Sequence, residues 1–160
     1  MKNFQNKTKI IKVSTTIRNI LLAGLVLWII VMPLALITSV IPFILNTHMH
    51  TMAEDCKTVG NSLTVPFVFA ANLYFFKFFN RLKNGHLFDA RTTGCLEAAG
   101  KWLIAIGLFQ MAVAFVEGWM MNSQHVTFPV EGIFSGLITI FTAWLFREGQ
   151  EMQEEQELTV

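Results

Sequence analysis

The sequence predicts an all-α integral membrane protein, a four-helix bundle with its N- and C-termini in the cytoplasm. Three observations carry that prediction. Of 160 residues, 53% are hydrophobic and only 14% charged, where a soluble domain of this size carries about a quarter charged residues. The apolar residues fall into four long runs separated by short polar segments. The basic residues gather on alternate connections between those runs.

The first run, 20–45, exceeds the length needed to cross a hydrocarbon core of roughly 30 Å at 1.5 Å per residue. Pro33 lies inside it and Pro42 near its outer end, so a kink is expected there. The second run is 62–79, with Pro66 near its start, where a missing N–H costs least. Lys77 near its inner end can snorkel to the headgroups. The third run, 98–121, is entered by Lys101 and Trp102 and left through Glu117 and Trp119. The fourth, 129–146, stays apolar from Gly132 to Phe146.

Charge fixes the orientation. Lys2, Lys7, Lys9, Lys12 and Arg18 precede the first span with no acid among them, and Lys77, Arg81, Lys83, Arg91 and Lys101 surround the second connection. The other two connections together hold one basic residue, Lys57. Cytoplasmic loops carry the Lys/Arg excess, so the N-terminus and middle loop are read as inside. Four spans then return the C-terminus to the same side. Cys56 and Cys95 fall on opposite sides, so no disulfide framework is expected. The basic N-terminal region and long apolar run read as a retained anchor rather than a cleavable signal.

Three segments lie outside the spans. Residues 1–19 place Phe4, Ile10, Val13, Ile17 and Ile20 at helical spacing among lysines. That pattern suits either an interfacial amphipathic helix or an unstructured basic arm whose role is topological. In the middle loop Asn84-Gly85 is a turn signal and Asp89 an N-cap for the next helix, on which Leu96, Ala99 and Leu103 share a face. The segment 147–160 carries Glu148, Glu151, Glu154, Glu155 and Glu157 and continues the fourth helix as an acidic tail.

Polar residues at membrane depth are few. Asn72 and Gln110 are expected to face the bundle interior as packing residues. Gly132 and Gly136 form a small-xxx-small pair that permits close helix approach within the bundle or in a homodimer. On the outer side His48, His50, Cys56 and His125 have transition-metal chemistry, with Met49, Met52, Glu54, Asp55, Glu117 and Glu131 nearby. Their spacing matches no standard zinc site, so neither a metal nor a cofactor is expected. Phosphate-binding, zinc-protease and nucleophile-elbow motifs are missing, and the hydrophilic stretches are too short to fold as catalytic domains. The chain is therefore not expected to be an enzyme.

The stretch Leu82-Lys83-Asn84-Gly85-His86-Leu87-Phe88 resembles the Leu-x-x-Gly-x-Pro-Phe element of a bacterial family known as domain of unknown function 2975. The segment up to Gly100-Lys101-Trp102 is similar to that family's run into its third helix. Phe146-Arg147-Glu148-Gly149 and the final Glu154-Glu155-Gln156-Glu157-Leu158-Thr159-Val160 resemble its closing pattern. Leu87 stands where the family often has proline. The resemblance implies a small four-helix protein of the bacterial inner membrane and, as partner, a small helix-turn-helix regulator. The expected function is a regulatory or anchoring module without direct nucleic acid binding. Its binding face would be built from Gly85, Phe88, Arg91 and the five tail glutamates. The alternative is an accessory subunit of a transport or export system using Asn72, Gln110 and Glu117.

Overall fold

The computed structural model describes residues 2–35, 37–38, 41, 52–85, 89–120 and 129–158. Four helices account for nearly all of them: α1 Lys2–Ala35, α2 Met52–Lys83, α3 Ala90–Met120 and α4 Glu131–Leu158. The all-α, four-helix prediction holds. The main contacts follow chain order, α1 on α2, α2 on α3 and α3 on α4.

α1 unites two segments that the sequence reading separates. Residues 2–35 form one unbroken helix, so the basic arm is neither unstructured nor a separate interfacial helix. No proline interrupts the register before Pro33, and the Thr15 and Thr16 hydroxyls donate back to the Ile11 and Lys12 carbonyls at 2.8 and 3.2 Å. Hydroxyls satisfied in this way need no partner across the helix. Ser14 and Leu25, three turns apart and hence on one face, are the buried positions among the described side chains of α1.

α2 begins at Met52, ten residues before the expected start of the second span. Met52, Glu54, Asp55 and Cys56 therefore occupy its first turns rather than a loop. Pro66 falls in the helix interior, so the expectation of a low-cost position near a helix start is wrong. The Ser62 carbonyl loses its usual donor there. The nearby hydroxyls of Ser62 and Thr64 turn back onto the Thr58 and Asn61 carbonyls at 2.9 and 2.6 Å.

The turn into α3 follows the sequence closely. Gly85 adopts a left-handed φ of 83°, a conformation that a Cβ disfavours. The amides of Asn84 and Gly85 close the end of α2 by donating to the Arg81 and Leu82 carbonyls, each at 3.0 Å. Asp89 caps α3. Its carbonyl receives the Thr92 and Thr93 amides at 2.8 and 3.1 Å, and its Oδ1 receives the Arg91 amide at 3.1 Å. Asp89→Ala is expected to cost about 1–2 kcal/mol, because it removes this cap together with the ion pair to Arg81. Thermal melting in detergent checks this, and an unchanged midpoint would rule the cap out as a stabilising feature.

Three helices, Lys9–Leu34, Thr58–Lys83 and Ala90–Met120, are long and apolar enough to cross a membrane. Only 6%, 17% and 11% of their most apolar windows are buried inside the protein, so most of their hydrophobic surface has no protein partner. The uncharged run of α4, 132–146, is about 22 Å long and ends at Arg147. α4 nevertheless exposes Phe134, Ile138, Phe141 and Trp144.

Candidate functional site

The α3–α4 seam sets the register of everything below it. Gly132 lies against the Gly107 backbone and the Leu103 carbonyl, and Gly136 against the Gly100 carbonyl and Ile104. The face carrying Gly132 and Gly136 is thus occupied by α3 of the same chain. α2 joins α3 through Gly60 beside Val113 and through Phe67, whose ring lies 5.8 Å from Trp102 and 5.6 Å from Phe109. Asn72 donates to the Val68 carbonyl of its own helix at 3.0 Å. Gln110 is half-buried, as is Glu117 two turns further along α3.

All three helices meet at the end where α2 stops and α3 starts, termed here the basic end. Phe78 and Leu82 of α2, Leu96 of α3 and Ala143 of α4 form its buried apolar cluster. Phe146 adds an edge-to-face contact with Phe78, ring centres 6.3 Å apart. Thr92 and Thr93 are almost fully buried beside it. Two ion-pair systems tie the helices together. Arg81 Nη1 lies 3.2 Å from Asp89 Oδ2 and fastens the end of α2 to the cap of α3. Glu97 receives Lys101 at 2.7 Å on one oxygen and Arg147 at 3.0 Å on the other, which locks α4 to α3.

Two surfaces emerge from this end. One is the acidic tail. α4 continues without a break to Leu158, and Glu148, Glu151, Glu154 and Glu155 are exposed. The antiparallel register of Gly136 with Ile104 and Ala143 with Leu96 brings Gln150 level with the Asp89 cap. Beyond it the tail has no α3 alongside. Glu157 belongs to α4 by its backbone, but its side chain lies outside those described. The other surface is an open groove of about 780 Å³ between the last turns of α2 and the first turns of α3. Tyr74, Lys77, Asn80, Arg81 and Arg91 line it. Of the middle-loop candidates, Arg91 sits in this groove, Gly85 sits in the turn, and Phe88 lies outside the described residues.

Sequence reasoning missed the groove because its residues belong to two different helices. It also missed Gly100 and Gly107, spaced two turns apart on α3, which receive Gly132 and Gly136. Of the residues with transition-metal chemistry, His48, His50 and His125 lie outside the described residues, as does the side chain of Cys56. Cys95 is a free, half-buried thiol. Among the described residues no group of three metal-capable side chains occurs.

Comparison with protein families gives a match over residues 56–160 to a family described as protein of unknown function (DUF2975). The chain belongs to the DUF2975 family. The match runs from the early turns of α2 to the end of the tail, so the whole basic end of this DUF2975 protein falls within it. Neither the search of curated proteins nor that of solved structures returned a match.

Proposed function

We propose that this DUF2975 protein is a multi-pass, non-enzymatic anchoring module of the bacterial inner membrane. In this reading it holds a basic cytoplasmic protein, such as a small helix-turn-helix regulator, at the basic end. The observation that carries the proposal is the projecting acidic tail. Glu148, Glu151 and Glu154 recur at a helical spacing of three, so like charges stack along one side of an exposed helix. Such pairs cost a helix about 0.2–0.5 kcal/mol each. A cationic partner would remove that repulsion. A DNA-binding surface is cationic by necessity, and docking it on the tail would mask it from DNA. Asn72, Gln110 and Glu117 lend the transport reading less, since the Asn72 amide is engaged by its own helix.

The test is co-purification from the native host in mild detergent. Replacing Glu148, Glu151, Glu154, Glu155 and Glu157 together by glutamine keeps the helix-forming side-chain length and removes the charge. Loss of a basic partner that the wild-type chain retains is the expected result. Undiminished retention of the same protein would overturn the tail as its binding surface.

A further inference from the structure

We infer that the groove between α2 and α3 is a phosphate-binding site at the membrane surface, taking the phosphate of an anionic lipid headgroup or the same group on a soluble molecule. This inference does not depend on the partner protein, since the tail and the groove carry opposite charge.

Three features of the groove converge. Lys77, Arg81 and Arg91 line it, and among the described residues no carboxylate does. Asp89 offsets Arg81 from outside the groove at 3.2 Å, which leaves a net positive lining. Tyr74 and Asn80 add a hydroxyl and a carboxamide, so the lining offers the charged and neutral donors that phosphate oxygens accept. Its position along the helices is the second feature. The groove sits where the phenylalanine-rich stretch of α2, Phe75 to Phe79 with Lys77 inside it, gives way to Asn80, Arg81 and Lys83. A span in a bilayer would place that transition at headgroup depth, where tyrosine and snorkelling lysine concentrate. Lys77 Nζ lies 5.1 Å from the Tyr74 ring centre, so the ammonium lies over the tyrosine face beside the groove.

The third feature is space. Gly94 lines the groove, and a Cβ built there meets no heavy atom within 4 Å. A side chain at this point would occupy the volume proposed for the ligand. At 780 Å³ the opening accommodates a glycerophosphate group rather than a bare ion.

The full-length protein in dodecyl maltoside, titrated with phosphatidylglycerol or with phosphatidylcholine of the same chains and read by native mass spectrometry, tests this. Wild type is expected to retain phosphatidylglycerol in preference. Arg91→Gln should reduce that retention about five-fold, from the roughly 1 kcal/mol that a basic side chain contributes at an anionic surface. Gly94→Leu, which adds a side chain where a Cβ enters open space, should abolish the preference without lowering the melting temperature. Competition by millimolar inorganic phosphate that displaces the lipid assigns the site to soluble phosphate, and resistance to it assigns the site to the headgroup. Equal retention of both lipids with no phosphate bound, or retention unaffected by both substitutions, would overturn the site.

Discussion

Gly136→Val is expected to pull α4 away from α3 and lower the melting temperature of the detergent-solubilised protein by roughly 5–10 °C. A Cβ at Gly136 would lie 2.7 Å from the Gly100 carbonyl oxygen and 2.9 Å from the Ile104 amide nitrogen. Both are backbone atoms of a packed helix and cannot swing aside. Gly107 presents the same problem from the other side, with the Ile133 amide nitrogen 2.7 Å from its Cβ position. Overpacking of this kind costs about 1–3 kcal/mol or more, because two helices must separate to relieve it. Gly94→Ala is the control. Its Cβ enters open space, so it should raise stability by up to about 1 kcal/mol through the better helix propensity of alanine. Tryptophan fluorescence reports both melts, since Trp102 and Trp144 lie on the two helices concerned. Equal melting temperatures for Gly136→Val and wild type would mean that the seam contributes nothing to stability.

That seam also shows which parts of the molecule could be read in advance. The helix count, the Asn84-Gly85 turn and the Asp89 cap were legible because each depends on local chemistry: a long apolar run, a left-handed turn position and an acceptor before a helix. The continuity of α1 was not, because a lysine-rich stretch of moderate helix propensity joins an apolar stretch without a breaking residue. Periodicity alone gives no boundary in such a case. The early start of α2 was missed because the span was bounded by its polarity, and polarity marks the edge of an apolar run rather than the end of a helix. Of the candidate binding residues, the exposed tail glutamates were visible as a charge run. The groove was not, since Lys77, Arg81 and Arg91 become neighbours only after α2 and α3 fold back on each other. Gly100 and Gly107 carried a readable signal, two glycines seven residues apart, which gains meaning only beside the Gly132 and Gly136 pair.

In intact cells a membrane-impermeant maleimide is expected to label Trp119→Cys and to leave Asn84→Cys and Glu155→Cys unlabelled until the membrane is opened. Each substitution is made after Cys56 and Cys95 are replaced by serine. The helices' mutual register sets this pattern. Arg147 is bound to Glu97 near the start of α3 at 3.0 Å, and Ala143 packs with Leu96, Phe78 and Leu82. The tail and the turn after Lys83 are therefore fixed at one end of the protein, and Trp119, 80% exposed, stands at the other. This pairing holds even though α4 is short. Its first residue lies level with about Leu108, roughly 18 Å from the far end of α3, so α4 need not match the full hydrocarbon thickness to return the tail to the side it shares with Arg81 and Lys83. The excess of basic residues at that end is the reason to expect it in the cytoplasm. Labelling of Glu155→Cys from outside, with Asn84→Cys still protected, would break the α3–α4 register and remove the tail from reach of any cytoplasmic partner. Labelling of all three from outside would place the basic end on the external face, and the cytoplasmic partner-binding reading would fall.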